Sequence, residues 1–381
     1  MSRIVFICRR FCPGQAWTNR LLGYAKGFAE QGKEVVLLFL ITDNNRTPYT
    51  INIPNVKVIN LWENDNRFIR IHRAFSYVVN KRKIRNYIND GDVCFMTDAS
   101  GFFIDEIIKS RKKVKIVFES TEHPMIFSNA TQNTVQRLLQ KLKSVDKLFV
   151  ISEALKRYYI SEGVDGRKIH VINMFVDTTR FEGVKKTENR KYIAYCGTVS
   201  YQKDGVDLLI RAFSMFKNKF PDYILEVYGS GTPETIEKLK ELAKENDVAD
   251  SVIFTGPIPY TEMPNKLVNA TILALSRPNN LQNQNGFPTK LGEYLMTGNP
   301  VVTTSVGEIP CFIKDGYNGY LAKPDSVESF AEKLKEVACN LEKARLVGEK
   351  GREIAFMEFS YLTQTQKACQ YILKNENSYN R

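Results

Sequence analysis

Runs of apolar residues are short in this chain. The longest, Val35 to Ile41, falls far below the ~20 residues of a membrane-spanning helix, so no crossing of a bilayer is expected. Cysteines stand at 8, 12, 94, 196, 311, 339 and 369, an odd number without one CxxC pair. That pattern excludes a disulfide framework and a zinc cluster, and predicts reduced, mostly buried thiols. Around the first strand-like segment, Ile4 to Cys8, there is no charged n-region, long apolar stretch and small-residue cleavage site; the reading is a cytoplasmic protein. Internal repeats and low-complexity tracts are absent. Histidine is scarce, with three residues.

What is present is an ordinary globular composition. The 381 residues, 43% hydrophobic and 25% charged, suffice for two or three domains of about 100 to 200 residues each. The formal charge of +12 is uneven. Residues 1–180 hold 29 Lys and Arg against 17 Asp and Glu, whereas 181–381 hold 25 of each kind. The halves therefore meet different partners, the first an anionic surface, a phosphorylated ligand or nucleic acid.

Apolar strand-like runs alternate with amphipathic stretches, which indicates parallel sheets covered on both faces. In the first half the strands read as Ile4 to Cys8, Val35 to Leu40, Val93 to Thr97, Val114 to Glu119 and Lys147 to Ile151. After a loop from Asn173 to Asn189 they resume as Tyr192 to Cys196, Ile224 to Tyr228, Val252 to Thr255, Ile272 to Leu275 and Val301 to Thr304. Three helical stretches close the chain. The fold class is α/β, with two doubly wound domains, 1–175 and 176–359, and a final helix of about 360–381 packing back on the first. Ligands of such sheets gather at the carboxyl ends of the strands.

Glycine follows three strands of the second half directly, at Gly197, Gly229 and Gly256. Each reads as a tight turn taken alone; together at one sheet edge they read as a phosphate and nucleoside crevice. The segment NGFPTKLGEYLMTGNPVV, Asn285 to Val302, predicts a short helix with Gly286 and Pro288 at its start and Gly298 with Pro300 beyond its end. Backbone N–H groups of Phe287 and Thr289 would point at an anion, and Lys290 and Glu293 share a face. That pair suits a phosphate beside hydroxyls, and equally reads as a surface ion pair.

The whole chain resembles the retaining nucleotide-sugar glycosyltransferases of family 4, with their GT-B fold of two facing Rossmann-like domains and a cleft between them. YCGTVSYQKDGVDLLIRAF, VYGSGTPETIEKL, FTGPIPYTEMP, GFPTKLGEYLMTGNPVVTT and GEIPCFIKDGYNGYLAKPD carry the resemblance in the second domain; VISEALKRYY and VDTTRF carry it more loosely before that. The resemblance implies that the first domain serves the acceptor and the second the donor. It implies that Glu293 holds the ribose hydroxyls, that Lys203 neutralises the donor diphosphate, that Gly197 and Phe287 to Thr289 donate backbone hydrogen bonds to the phosphates, and that Gly256, Pro257 and Ile258 edge the base. Two positions depart from the family pattern. Asn285 stands where its first glutamate falls, and Thr198 where an arginine often follows the glycine, so Lys290 is ranked with Lys203 as a source of positive charge.

In the first half, His123 follows a strand and resembles a family histidine near the donor sugar; beside Pro124 it also reads as a packed loop residue. Glu119 and Glu122 flank it as acceptor-side candidates, together with Arg9, Arg10 and Gly14 of the first loop. The two arginines suit an acceptor phosphate, or are solvated charges. Asp90 and Asp92 precede a strand, at the wrong edge for a ligand, so no metal and no cofactor is expected. Residues 67–85 carry seven Lys and Arg and no acid. They read as a helix with an apolar core face formed by Phe68, Ile71, Phe75, Val78 and Val79, and a basic face that is either solvated or touches anionic lipid.

The function expected is transfer of a sugar, with retention, from a nucleoside diphosphate sugar to a saccharide or lipid-linked saccharide acceptor, without a metal. A non-hydrolysing nucleotide-sugar epimerase of similar fold is the alternative. A nicotinamide dehydrogenase is disfavoured, because RRFCPG rather than GxGxxG follows the first strand. Nucleic-acid binding is disfavoured for want of a recognised motif around the basic helix.

Overall fold

The structure, a computed structural model, describes residues 3–41, 48–64, 73–97, 103–127 and 130–373. It divides into two compact units, Met1–Asn173 with Tyr361–Arg381, and Met174–Ser360. No helix among the described residues is long and apolar enough to cross a membrane.

The first unit holds a parallel sheet of β1 (Ile4–Cys8), β2 (Val35–Phe39), β3 (Val56–Asn60), β4 (Val93–Thr97), β5 (Lys115–Ser120), β6 (Lys147–Val150) and β7 (Ile169–Val171). Their order is β3-β2-β1-β4-β5-β6-β7, the strand order reversing beside β1 as in doubly wound sheets. Strands β1 and β2 are buried at every position, which is why they read as unbroken apolar runs. The second unit repeats the plan with β8 (Tyr192–Cys196), β9 (Ile224–Tyr228), β10 (Val252–Gly256), β11 (Ile272–Leu275), β12 (Val301–Thr304) and β13 (Tyr320–Ala322), ordered β10-β9-β8-β11-β12-β13. Three strands go beyond the sequence reading: β3, β7 and β13. All lie at sheet edges, where a strand is short or half exposed and loses its apolar signature.

The final helix, Tyr361–Leu373, lies on the helix Ala16–Glu30. Gly27 makes room for Thr365, whose side chain would collide with any Cβ there. Gln31 Nε2 donates to Thr365 Oγ1 at 3.1 Å, and Tyr361 Oη donates to Glu30 at 2.9 Å.

The basic stretch differs from expectation. Arg67, Phe68, Arg70 and Ile71 lie outside the described residues. The helix that is described, Arg73–Lys83, leaves Phe75 57% and Val78 52% exposed, so these two do not form a core face. Burial falls instead on Asn80, on the same helical side as Tyr77, and beyond the helix on Ile84 and Ile88. Asn80 Nδ2 donates to the Leu40 carbonyl at 3.1 Å, and the Tyr77 ring lies 5.7 Å from Phe103. Arg85 is not part of a free basic face, since its Nε donates to Glu106 Oε2 at 3.0 Å.

Among the cysteines, Cys8, Cys94 and Cys369 are buried, while Cys311 and Cys339 are exposed, so burial of the thiols is only partial.

Candidate active site

In the second unit, helix starts and loops meet at the carboxyl ends of β8, β9, β10 and β11. Parallel pairing continues one residue beyond the strands. Gly197 N–H donates to the Tyr228 carbonyl at 2.8 Å, and Gly229 N–H to the Gly256 carbonyl at 2.8 Å. The expectation that Gly197 N–H serves a phosphate is corrected by this bond, because that donor is already used. Glycine is needed at 229 because φ is +127° and a Cβ there would run into the Gly197 carbonyl. These two glycines thus let neighbouring strand ends approach each other. Gly256, at φ +75°, has open space where a Cβ would stand, and Pro257 beside it is exposed.

Asp204, 1% exposed, is the node of the site. It ends the short helix Tyr201–Asp204, capped by Ser200 and followed by Gly205 in the left-handed conformation. Its carboxylate pairs with Lys290, accepts a 2.7 Å hydrogen bond from Tyr195 Oη, and lies 4.0 Å from Arg277 Nε. Burial alone would raise the Asp204 pKa; Lys290 and Arg277 outweigh it and hold the group below its ordinary value. The Lys290 side chain crosses the face of Gly197, where any Cβ would strike it. Lys290 and Glu293 therefore do not form the surface pair that their spacing allows.

Lys203, the residue before Asp204, is half-buried, and its carbonyl accepts from Asn283 Nδ2 at 3.1 Å. Asn283 also accepts from Arg277 Nε at 2.7 Å, which ties the Lys203 turn to the segment after β11. Thr198 is exposed, and its carbonyl lies 2.6 Å from Tyr195 Oη, so that it shares that hydroxyl's one proton with Asp204.

Glu293 stands in the helix Thr289–Met296, with Pro288 at its N-cap. Arg180 donates to Glu293 Oε1, donates to the Tyr260 carbonyl at 2.6 Å, and stacks 3.4 Å over the Tyr260 ring. Glu293 Oε2 has no hydrogen bond among the described residues. Phe287 packs inward on Phe312 and Phe359, with ring centroids 5.4 and 5.5 Å away. Gly286 closes the preceding helix Leu281–Asn285 by donating to the Gln282 carbonyl at 2.8 Å, and Asn285 Nδ2 donates to the Leu281 carbonyl at 2.9 Å. Sequence reasoning missed Asp204, Arg277 and Arg180. Asp204 and Arg180 lay inside quoted motifs and Arg277 two residues after β11, but a buried charge has no periodic signature.

The candidates of the first unit separate. Glu119 is 1% exposed; it accepts from Arg20 at 2.7 Å and from Tyr24 Oη at 2.5 Å. That carboxylate is committed inside the unit, which corrects its placement among groups open to an acceptor. His123 is 6% exposed, accepts at Nδ1 from Met125 N–H at 3.2 Å, and lies 4.2 Å from the Tyr158 ring. Burial lowers its pKa, against a smaller opposing effect of Glu162, so the neutral imidazole is favoured. Glu122 is half-buried. Arg9 and Arg10 are exposed after β1, Arg9 lying 5.5 Å over the Tyr77 ring, and Gly14 turns the chain at φ +80°. Asp92 accepts from Arg3 at 2.8 Å and Asp90 from Lys113 N–H at 2.6 Å, so both carboxylates tie down the amino end of the sheet.

Two protein families match this chain. The family described as Glycosyl transferases group 1 matches residues 176–354, and Glycosyltransferase Family 4 matches residues 18–180. An uncharacterized glycosyltransferase of Methanocaldococcus jannaschii is 22% identical over 81% of this chain and 77% of its own length. A GDP-mannose-dependent phosphatidylinositol monomannoside mannosyltransferase of Mycolicibacterium smegmatis is 25% identical over 47% of each protein. An uncharacterized glycosyltransferase of Haemophilus influenzae is 27% identical over 59% of this chain, which spans only 61% of that relative. Among solved structures, a glycosyltransferase of Rickettsia africae superposes with a TM-score of 0.74 at 16% identity, covering 98% of this chain and 99% of that one. Anabaena HepE, solved with UDP-glucose, gives 0.73 at 16% identity, covering 97% and 99%. With both halves matched in order and a parallel sheet in each unit, the chain belongs to the family 4-type glycosyltransferases of the GT-B fold.

Proposed function

We propose that the enzyme moves a sugar from a nucleoside diphosphate sugar to a saccharide or lipid-linked saccharide acceptor, with retention of anomeric configuration and without a divalent metal, in the synthesis of surface polysaccharide or glycoconjugate. The observation that carries this reading is Glu293: Arg180 holds one carboxylate oxygen, and the other is left to accept from ribose hydroxyls. Lys203 and Lys290 supply positive charge for the diphosphate. To meet a phosphate oxygen, Lys290 exchanges one anion for another, and Arg277 remains beside Asp204. Stabilisation of charge building on the leaving diphosphate is then the protein's main contribution, a term worth about 3 to 4 kcal/mol per well-placed donor. The diphosphate itself takes the acceptor proton. A GDP-mannose-dependent relative and a fold neighbour solved with UDP-glucose support a nucleotide-sugar donor and leave its base open.

Thermal stabilisation by UDP-, GDP- and ADP-sugars tests the donor. One of them at about 100 times its dissociation constant is expected to add roughly 2.7 kcal/mol, and no response to any would sink the reading. Product NMR with EDTA present then tests the rest. An inverted anomer, or activity lost in EDTA and restored by Mg²⁺ or Mn²⁺, would refute retention or metal independence.

The proposal extends to peripheral contact with an anionic membrane through the stretch 67–85. Phe75 and Val78 are exposed on the helix that bears Lys81, Arg82 and Lys83, and basic residues near an anionic leaflet contribute up to ~1 kcal/mol each. Sedimentation with liposomes is expected to rise with phosphatidylglycerol content, fall with salt, and weaken when these three basic residues become glutamine. Equal sedimentation with neutral liposomes would refute the contact.

A further inference from the structure

Arg180 joins three chain segments of the second unit. It leaves the turn Thr178–Phe181, which Asp177 caps by accepting from Thr179 N–H at 3.2 Å, and both ends of that turn, Thr178 and Phe181, are buried. Its side chain, 12% exposed, then spans from the loop after β10 to the helix Thr289–Met296. A guanidinium does here what an ammonium does not. One nitrogen fixes Glu293 Oε1, another fixes the Tyr260 carbonyl, and the guanidinium carbon lies 3.4 Å from the centroid of the Tyr260 ring. With Oε1 held, the rotation of the Glu293 carboxylate is fixed and Oε2 is presented with no competing donor among the described residues. Tyr260 is fixed by the same group, four residues after Gly256.

We infer that Arg180 is a positioning residue for nucleotide recognition: it sets the Glu293 carboxylate for the ribose hydroxyls and locks the Tyr260 loop at the base side. The inference rests on the donor reading above, in which Glu293 meets ribose. It assigns to Arg180 no contact with the sugar being transferred or with the phosphates. A supporting group of this kind acts by keeping the contacting oxygen in one geometry, so its loss degrades discrimination rather than merely affinity.

The test compares the nucleoside diphosphate that the wild-type enzyme binds with its 2′,3′-dideoxy analogue, by calorimetry, in the wild type, Arg180→Lys and Arg180→Ala. The wild type is expected to prefer the ribonucleotide by about tenfold or more, the scale of charge-assisted hydrogen bonds. In Arg180→Ala that ratio is expected to fall to within about twofold, while competition by inorganic pyrophosphate stays within about twofold of wild type. Lysine keeps the charge but not the fork or the stack, so Arg180→Lys is expected to lose at least about threefold of the ratio. That variant decides the matter if alanine prevents folding. An unchanged ratio in a cooperatively melting Arg180→Lys or Arg180→Ala overturns the inference while leaving the donor reading intact. A wild type that binds no nucleoside diphosphate overturns the donor reading itself, and one that binds it without preferring the ribose overturns the Glu293 contact.

Discussion

Alanine at Lys290 is expected to lower turnover at saturating donor by about a hundredfold or more, and to change donor affinity far less. Charge on the leaving diphosphate grows as the glycosidic bond breaks, so a cation beside it contributes more to the transition state than to the bound donor. The prediction needs a control, because Lys290 also pairs with the buried Asp204. Removing it leaves that carboxylate with Tyr195 and the more distant Arg277, and the variant is expected to melt earlier. Combining Lys290→Met with Asp204→Asn separates the two effects: stability is expected to recover and turnover is not. Lys203→Ala is expected to slow turnover as well, whereas Glu293→Ala is expected chiefly to weaken donor binding, because the contact proposed for it, to ribose, is the same in the bound donor and the transition state. Wild-type turnover in both lysine variants would refute these roles.

The largest effect on stability is expected in the first unit, at Arg20. Its guanidinium, 6% exposed, donates to Glu119 Oε1 from two nitrogens and to the carbonyls of Ile172 and Asn173 at 2.8 Å each. Arg20→Met would leave a buried carboxylate with Tyr24 alone and remove the donors of the buried Ile172 and half-buried Asn173 carbonyls, at a cost of about 3 to 5 kcal/mol. Replacing both partners, as in Arg20→Met with Glu119→Leu, removes the stranded charge and is expected to return much of that loss. Urea unfolding measures both. Equal destabilisation by the single and double variants would show that the carbonyls, rather than the carboxylate, set the cost.

Nearly all the strands that sequence reading located lie at sheet centres, where both faces are covered and apolar residues run together; the edge strand β10, with its alternating burial, is the exception. Edge strands such as β3, with its mostly half-exposed residues, obey a weaker constraint and escaped notice. The helix after β3 shows a subtler failure. Its apolar residues were counted as the buried side, but Asn80 is the residue fully enclosed, its amide matched to a strand-end carbonyl. At the candidate site, glycine spacing and helix punctuation singled out segments whose side chains the structure links, such as Lys290 with Asp204. Partnership was not legible: nothing in QKDG says that its aspartate reaches the lysine of PTKLGE, or that VDTTRF sends its arginine to the glutamate there. Such bonds depend on which loops the sheet order brings together.

The helix Tyr361–Leu373 belongs to the first unit although its residues are translated after the whole of the second. On a ribosome, then, the amino-terminal sheet is made early, but the side of Ala16–Glu30 around Gly27 stays uncovered until the last helix arrives. A nascent chain halted just before residue 361 carries the second unit complete, and one halted anywhere earlier still leaves the first unfinished. Synthesis order and completion order are thus inverted in this enzyme, and the amino-terminal half is the longer dependent on whatever shields nascent chains from aggregation.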